Sequence, residues 1–471
     1  MAPSTNSVLE IVERRAVPGP DDRKRMDSQA ANLKKELQSI LISNDFDAEV
    51  SIQGSVAKDT WLRGEADLDI FAGFEPSMNR TEWVEKVIPA LKKGLSRFKI
   101  VERYAEHPYL EFRSERVRVN VVPYFVVKKG EWKSATDRTP FHTEYMNSHL
   151  TPKTRAEVRF LKRFMKGIDV YGAEIRVGGF SGMLAETLVL NYGSFTETLE
   201  EASCWNGKVR ILVEKLEGAG SADRFDSSLV VIDPIDPERN LAAAVRSEKL
   251  WSFVAASRQL LQGPSLEYFY PRTPRTHSKS EFQRKLKDSE GFLAIVFPHP
   301  KVVVDILWGQ LLSLEKSLVG LLQRFDFRIA RSHTWSDDRK LGVVFLELET
   351  PDLPRTRVHL GPPVARREES QTFLERHRNS KSTLRGPYVQ SERWIVEKRR
   401  EYPSSSELLR KAFKDSSLGL SVPKQLHNNF TSGAHIVDRD GIEKMISNRS
   451  FAEALWDFLD GRPRWLRLKH A

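Results

Sequence analysis

The stretch 48–71 constrains the fold of this chain more than any other part of its sequence. It opens with a run typical of a β-strand, continues through Gly54-Ser55 and a short helical segment, and reaches Asp67 thirteen residues after Gly54. Asp67 and Asp69 alternate with apolar residues. Because successive side chains of a strand point to opposite faces of the sheet, both carboxylates lie on one face. The pattern predicts a compact α/β unit with a small mixed sheet that carries an acidic pair.

The residue types in this stretch suit phosphate and metal chemistry. A Gly-Ser turn before a helix offers a hydroxyl, backbone N–H groups and a helix N-terminus, which all bind phosphate oxygens. Two neighbouring carboxylates repel each other unless a cation lies between them, and oxygen ligands suit Mg²⁺ that arrives with a triphosphate. A lone Asp-x-Asp is more simply a solvated pair, so the interpretation depends on the two features occurring together.

The composition excludes several classes of protein. The chain has 471 residues, 40% of them hydrophobic, which predicts about three domains with cores of their own. Its single cysteine, Cys204, excludes a disulfide framework and indicates a reducing, cytoplasmic location. No apolar run is long enough for a membrane span or a secretion signal. Of the net charge of +10, +7 lies in the last 141 residues, which indicates either a polyanionic partner or a solvated basic surface.

Hydropathy patterns divide the chain into three predicted parts, 1–150, 151–262 and 263–471. The first contains an amphipathic helix over 24–43, strands over 48–52 and 68–71, a helix over 83–98, and a hairpin of strands 108–112 and 117–122. The second opens with a helix capped by Thr151-Pro152 and adds helices over 181–192, 206–216 and 247–262 and a strand over 229–232. The third begins with a strand (292–297), a helix (302–325) and two strands (326–331 and 342–349), and is helical and basic from 350 onward.

Several separate motifs occur in the order found in one known family. They are GSVAKDTWLRGEADLDIF, RVNVVPYFVV, DRTPFH, IDVYGAEIRVGGFSG, LNYGSF, DPIDPERNLAA and PSLEYFYP. In these motifs the chain resembles the archaeal-type (class I) CCA-adding enzymes, which are tRNA nucleotidyltransferases of the DNA polymerase β-like superfamily. The resemblance covers about residues 30 to 270 and continues more loosely through GPPVARREESQTFLERHR and SERWIVEKRR.

The resemblance implies a fold and an activity. The fold is a multidomain α/β + α architecture: a polymerase-β-like nucleotidyltransferase head with a small mixed sheet, a mostly helical nucleotide-recognition neck, a β-α-β-β body and a basic helical tail. The activity is addition of C, C and A to the 3′ end of tRNA from CTP and ATP with Mg²⁺ and without a nucleic-acid template. Its partners are the acceptor stem and T-arm of tRNA, and a second copy of the chain in a homodimer.

The resemblance also implies roles for individual residues. Gly54, Ser55 and Lys58 hold the triphosphate, and Asp67 and Asp69 bind Mg²⁺ and bridge both ions of a two-metal mechanism. The further nucleotide-binding positions are His142, Lys162, Tyr171 and Arg239, with Asp233 and Asp236 shaping the wall beside Arg239. Taken alone, these residues have simpler explanations. His142 is then a turn-capping histidine, and Tyr171 is a core tyrosine. Lys162 is then a solvated lysine on the polar face of its helix, beside Arg159, which is also predicted to be exposed.

One position departs from the family pattern. The strand that reads Asp-Val-Val-Pro in the family has Asn120 in place of the aspartate, the third member of the catalytic and metal-binding set. An amide carbonyl can coordinate Mg²⁺ but is no useful base. Three explanations stay open: a deliberate replacement, a natural variant with low or altered activity, or compensation by Glu111. Centring the hairpin on residues 114 and 115 predicts Glu111 opposite Arg118, where an ion pair is its simpler role.

The C-terminal part interleaves basic and aromatic residues, which suits phosphates and unpaired bases. The predicted RNA-binding residues are Arg376, Arg378, Arg393, Lys398, Arg399 and Arg400; a solvated basic helix is the alternative. Two other functions remain open for the whole chain. One is a poly(A) polymerase or oligoadenylate synthetase, which shares the head motifs, and the other is a catalytically silent tRNA-binding protein, which Asn120 motivates.

Overall fold

Two units make up the fold, as seen in a computed structural model that describes residues 4–104, 107–213, 222–272 and 275–467. The first unit comprises Met1–Thr273 and Pro463–Ala471, and the second comprises Pro274–Arg462. The C-terminal segment returns to the first unit, where Trp465 packs against Tyr268 with ring centroids 6.1 Å apart. The division into 1–150, 151–262 and 263–471 stays a prediction.

The first unit opens with an α/β region. Its elements are α1 (Thr5–Ala16), α2 (Pro20–Ile42), β1 (Ala48–Gln53), α3 (Gly54–Ala57), β2 (Asp67–Phe74), α4 (Arg80–Glu82) continuing through a π-helical turn (Trp83–Val87) into α5 (Ile88–Gly94), β3 (Val101–Tyr104), β4 (Pro108–Ser114) and β5 (Val117–Phe125). The sheet has the order β1-β2-β5-β4-β3, in which β2 and β5 are parallel. Leu68 and Ile70 are fully buried in the core beside Leu37 of α2, so the opposite face of β2 presents Asp67 and Asp69.

The predicted elements of this region are confirmed, with differences at their bounds and two additions. Helix α1 and the edge strand β3 were not predicted. The hairpin register differs by two positions, because Ser114 pairs with Val117 across a two-residue turn in which Glu115 has φ +53°. Glu111 is therefore opposite Asn120, and the predicted pairing of Glu111 with Arg118 is wrong.

The rest of the first unit is mostly helical. Its elements are α6 (Thr139–His149), α7 (Pro152–Gly167), α8 (Gly182–Tyr192), α9 (Phe195–Cys204), β6 (Val209–Ile211), β7 (Leu229–Val231) and α10 (Ser247–Gln262). The predicted cap is confirmed, since Thr151 accepts a hydrogen bond from the Thr154 N–H at the start of α7. The prediction of a helix over 206–216 is wrong for residues 206–213, which contain the strand β6. The last three predicted positions, 214–216, lie outside the described residues. Val209 and Ile211 alternate with Arg210, a period-two pattern that β6 satisfies by pairing with β7.

The second unit contains two sheets. Its elements are α11 (Lys279–Lys287), β8 (Phe292–Pro298), α12 (Val304–Arg324), β9 (Ile329–Ser336), β10 (Leu341–Leu348), β11 (Thr356–Pro363), α13 (Arg367–His377), β12 (Thr383–Gln390), β13 (Arg393–Arg399), α14 (Ser405–Ala412), α15 (His427–Gly433), β14 (His435–Val437), α16 (Arg439–Met445) and α17 (Arg449–Asp460). The predicted β-α-β-β order of β8, α12, β9 and β10 is confirmed, and β14 extends its sheet to the order β14-β8-β10-β9.

The prediction of a helical region after residue 350 is wrong for β14 and for the strands within residues 356–399, where α13 is the helical element. Three strands form a sheet there with the order β11-β13-β12. Ile395 and Val396 of the central strand are buried, and the pairing of β12 shifts register around Gly386-Pro387. The period-two pattern is therefore short and interrupted, which hides it in the sequence. Among the described residues, no helix has both the length and the apolar character that crossing a membrane requires.

Candidate functional site

A glycine turn brings the start of α3 directly against the acidic pair. Gln53 pairs with Asp69 across β1 and β2, so the chain turns into α3 beside that carboxylate. Gly54 has φ +70°, and a Cβ at this position would overlap Oδ2 of Asp69. Glycine is thus required both by the left-handed backbone and by the close approach. Ser55, the next residue, lines the same cleft as Asp69.

The two carboxylates of the pair have different partners. Asp69 Oδ1 accepts a hydrogen bond of 2.8 Å from Asn120 Nδ2, since these residues are in register across β2 and β5. Asp67 forms a bidentate ion pair with Arg118, whose Nε donates to Oδ1 of Asp67 at 2.9 Å and whose Nη2 donates to Oδ2. Burial raises the pKa of Asp69 to about 6, the Asn120 hydrogen bond opposes this rise, and the charge of Asp67 adds to it. The carboxylate form of Asp69 is therefore costly unless a cation compensates it.

Seven of the predicted site residues line one cleft of the first unit, with a volume of about 270 Å³. They are Gly54, Ser55, Lys58, Asp67, Asp69, Lys162 and Tyr171. Asn120 adjoins this group through Asp69. Tyr171 packs against the core as well as lining the cleft, and burial raises the pKa of its hydroxyl, which keeps the hydroxyl protonated. The structure thus brings together the turn, the acidic pair, two lysines and an aromatic ring from separate parts of the sequence.

The two predicted lysines of the cleft are buried rather than solvated. Lys162 is 2% exposed and donates to Glu186 Oε1 at 2.7 Å, so the prediction that it lies on the polar, solvent-facing side of α7 is wrong. Lys58 donates to the other oxygen of the same carboxylate. Arg159, also predicted to be exposed, is 1% exposed and binds the main-chain carbonyl of Trp61. Sequence reasoning missed Glu186, although a single acidic residue amid the apolar positions of α8 was a signal for it.

A second cluster contains the other two predicted nucleotide-binding residues. His142 Nε2 lies 2.9 Å from Asp233 Oδ2, and Arg239 donates to the same oxygen at 3.1 Å. Burial alone would raise the pKa of Asp233, but the His142 hydrogen bond and the charges of His142 and Arg239 lower it below its ordinary value. Asp236 accepts from Arg138 at 2.6 Å. His142 and Arg239 are thus joined through Asp233 and are not among the lining residues of the first cleft.

The oxygen donors of the acidic pair fit a divalent cation. Within the described residues, no group of three or more His, Cys, Asp and Glu side chains could hold a metal ion, so the donors here are two carboxylates and the amide of Asn120. Mg²⁺ is commonly bound through one or two carboxylates and the phosphates of its substrate. Glu111 lies across the strand pair from Asn120, but its carboxylate is paired with Arg103 at 3.0 Å.

Comparison with known proteins identifies the family. Models of three domain families match: "nucleotidyltransferase domain" over residues 31–142, "tRNA nucleotidyltransferase, second domain" over 156–270, and "CCA-adding enzyme, C-terminal domain" over 289–433. The CCA-adding enzyme of Methanosarcina mazei is 33% identical over 439 residues, which cover 92% of this chain and 93% of that enzyme. This chain belongs to the CCA-adding enzyme family. Two other relatives agree. The CCA-adding enzyme of Halorubrum lacusprofundi is 36% identical over 89% of this chain and 92% of that enzyme. The CCA-adding enzyme of Pyrobaculum islandicum is 35% identical over 86% of this chain and 93% of that enzyme.

Membership of the CCA-adding enzyme family confirms the resemblance and the α/β multidomain fold class predicted from the motifs. The family belongs to a nucleotidyltransferase superfamily that uses divalent metal ions, which agrees with the oxygen donors of Asp67 and Asp69. In this member of the family, the amide of Asn120 and the guanidinium of Arg118 adjoin those donors. The charge beside the acidic pair is therefore less negative than three carboxylates would make it.

The predicted RNA-binding residues of this CCA-adding enzyme family member lie in the second unit. Arg393, Lys398 and Arg399 are on β13 and Arg400 follows it, whereas Arg376 and Arg378 are at the end of α13. A cleft of about 660 Å³ is lined by Arg324, Arg357, Lys381, Lys398, Arg399 and Arg400. Burial and the nearby positive charges of Arg357 and Arg376 lower the pKa of Lys398. The structure brings three of the predicted residues into this cleft, with three cations that were not predicted.

Proposed function

We propose that this chain is a tRNA nucleotidyltransferase that adds C, C and A to the tRNA 3′ end from CTP and ATP. The observation that carries the proposal is the cleft in which the Gly54-Ser55 turn, Asp67, Asp69 and two lysines meet. Membership of the CCA-adding enzyme family supports this function for the chain as a whole. The match over residues 289–433 is to the C-terminal domain of CCA-adding enzymes. It therefore supports CCA addition and gives no comparable support to a poly(A)-type or oligoadenylate-type activity.

Residues of the cleft support the proposed binding of the triphosphate. The hydroxyl of Ser55 and the N–H groups at the start of α3 are donors for phosphate oxygens, and Lys58 and Lys162 add positive charge. Tyr171 offers a ring for a base or sugar. His142, Asp233 and Arg239 form a hydrogen-bonded group suited to meeting the edge of a base. In this proposal the first group holds the phosphates and the second selects the nucleotide.

Asp67 and Asp69 are the proposed ligands of Mg²⁺, with the side-chain amide of Asn120 beside Asp69. An ion held by these carboxylates would supply positive charge to the triphosphate and to the attacking 3′-oxygen. Asn120 has no basic group with which to accept the proton of that hydroxyl. A second candidate function follows from this observation: a tRNA-binding protein of the same family in which catalysis has been lost.

The experiment that tests the proposed function uses tRNA lacking its terminal CCA. The chain is incubated with labelled CTP and ATP over a range of MgCl₂ concentrations, and products are resolved at single-nucleotide length. We expect two cytidylates followed by one adenylate. Incorporation of ATP alone into long tails would support the poly(A)-type activity, and tRNA binding without incorporation at any MgCl₂ concentration would support the silent homologue.

We further propose that the cationic cleft of the second unit binds the backbone of the tRNA acceptor stem and T-arm. Its six basic side chains adjoin Tyr402 and Phe325, a combination of cations and rings that suits RNA. Arg376, Arg378 and Arg393 are proposed to extend this surface. In such a complex, phosphate contacts release counterions, so affinity falls steeply with salt.

Replacing Lys398 and Arg399 together with glutamine is expected to weaken tRNA binding and to lower the slope of log Kd against log salt by about 2, about one for each lost phosphate contact. The control is the double replacement of Arg410 and Lys411 on α14, which removes the same charge outside the cleft. Filter binding at KCl concentrations from about 50 to about 300 mM measures both slopes. Over this roughly sixfold range the loss of phosphate contacts changes affinity strongly. Equal slopes for the two variants would contradict a specific role for the cleft.

The homodimer and the cytoplasmic location stay predictions. The former comes from the family resemblance, and the latter from the single cysteine, Cys204, which is exposed and unpaired as a disulfide. Sedimentation velocity of the purified chain measures its oligomeric state directly.

A further inference from the structure

A buried carboxylate on α8 joins two of the three lysines that line the nucleotide cleft. Glu186 is fully buried, and its Oε1 accepts hydrogen bonds from Lys162 Nζ at 2.7 Å and from Thr60 Oγ1 at 2.6 Å. Its Oε2 pairs with Lys58 Nζ. Lys162 Nζ also contacts the carbonyl and hydroxyl of Thr60, at 3.2 and 2.9 Å. One carboxylate thus fixes two ammonium groups that come from positions more than one hundred residues apart in the sequence.

The charges of this group do not balance. Two lysines against one glutamate leave one excess positive charge in a nearly closed environment. Burial lowers the pKa of Lys162 to about 8, although Glu186 opposes this effect. Burial alone would raise the pKa of Glu186, but the two lysines bring it to about 2. Without the carboxylate, two like charges would face each other in a buried site, and one lysine would lose its proton or move away.

A purely structural role explains this arrangement poorly. The flanking residues Leu184, Ala185 and Leu188 are fully buried. Well-packed apolar side chains in place of all three charged groups would avoid their desolvation. Moreover, the charged group lies at the cleft: Lys58, Lys162 and Glu186 all line it together with the acidic pair. Among the described residues, Glu186 is the one hydrogen-bond acceptor of Lys58. An ammonium group has three donors, so Lys58 keeps donors for a ligand in the cleft.

We infer that Glu186 is a positioning residue, which holds Lys58 and Lys162 so that their excess positive charge faces the triphosphate of the incoming nucleotide. This inference rests on the proposed function only in the identity of the ligand. Lys58 keeps its place through Glu186 while its remaining donors meet phosphate oxygens. Lys162 and Thr60 fix the carboxylate from the other side. The contribution of Glu186 to binding is therefore specific to ligands with several phosphates.

The test compares binding of CTP and CMP by calorimetry to the full chain and to Glu186→Gln. We expect Kd for CTP to rise tenfold or more, as for loss of a hydrogen bond between charged groups, and Kd for CMP to change much less. In turnover assays, KM for CTP and ATP should rise more than kcat falls. The matched control is Glu157→Gln on α7, where the carboxylate accepts from the Phe195 N–H and does not line the cleft.

One further variant keeps the inference falsifiable. Glu186→Asp keeps the charge but withdraws the carboxylate by one methylene group, and it should give an intermediate rise in Kd for CTP. It replaces Glu186→Gln if that variant does not fold. Equal losses of CTP and CMP binding, or unchanged CTP binding in the variants that fold, would overturn the inference. Failure of the proposed function is distinguishable, because it would abolish nucleotide incorporation by the unmodified chain while the binding comparison could still be made.

Discussion

Replacing Asp69 with asparagine is expected to lower incorporation of CMP and AMP by on the order of 10³, while the protein stays folded. The loss corresponds to several kcal/mol of transition-state stabilisation by a bound metal ion. Asparagine has nearly the same shape as aspartate, so it preserves the contact of Asp69 with Gly54. It removes a charge that burial makes costly, since the pKa of Asp69 is raised to about 6. Single-turnover incorporation into tRNA measures the effect.

The stability of this variant gives an independent result. A carboxyl group whose pKa is raised in the folded state disfavours folding when it is ionised, which for Asp69 means above about pH 6. The Asp69→Asn variant should therefore have a Tm at pH 8 equal to or above that of the unmodified protein when no divalent cation is added. Well below pH 3.8, the ordinary pKa of an aspartic acid side chain, the difference should vanish, because the carboxyl group is then protonated in both the folded and the unfolded states.

Glu111→Gln is the matched control for Asp69→Asn. Glu111 lies on the same face of the sheet, opposite Asn120, but its carboxylate is paired with Arg103. We expect this variant to keep its incorporation rate within about threefold, as for a partly exposed ion pair. A loss as large as that of Asp69→Asn would show that Glu111 serves as the third carboxylate. Retention of activity within tenfold in Asp69→Asn itself would contradict the proposed role of the acidic pair.

The acidic pair could be predicted from the sequence because its geometry is local. The alternation of Asp67 and Asp69 with apolar residues fixes their common face, and thirteen residues after Gly54 are enough for α3 and a return into β2. The partner of Asp69 could not be placed this way. Asn120 comes into register with it through a parallel pairing of strands about fifty residues apart, and the hairpin that sets the register turns one residue later than expected.

The environment of Lys162 was predicted wrongly for a different reason. A helical pattern assigns lysine to the solvent-facing side because an unpaired buried ammonium is very costly. In the structure Glu186, on another helix, and Thr60, on a loop before β2, compensate that cost. Such compensation depends on which elements pack together, which hydropathy does not reveal. The sheet of β11, β12 and β13 was missed for a similar reason, since its strands are interrupted and carry many charges.

Replacing Asn120 with aspartate is expected to raise incorporation of CMP and AMP severalfold or more. Asn120 now donates to Asp69 Oδ1 at 2.8 Å. An aspartate would withdraw that donor, place a third negative charge beside Asp67 and Asp69, and supply a basic group for the 3′-hydroxyl. Loss of a general base costs roughly 10²–10⁴ in rate, which sets the upper limit of the gain. Initial rates over a titration of MgCl₂ measure it.

The same variant should respond to metal in its stability. Without a divalent cation, three carboxylates repel one another, so the Tm of Asn120→Asp should be lower than that of the unmodified protein. Added Mg²⁺ binds the folded state and should raise the Tm of the variant more than that of the parent. Asn206→Asp, an exposed position in the same unit, is the control for the change of charge alone. If the incorporation rate and the effect of Mg²⁺ on Tm are both unchanged, Asn120 does not limit this site, and the guanidinium of Arg118 on Asp67 becomes the next group to remove.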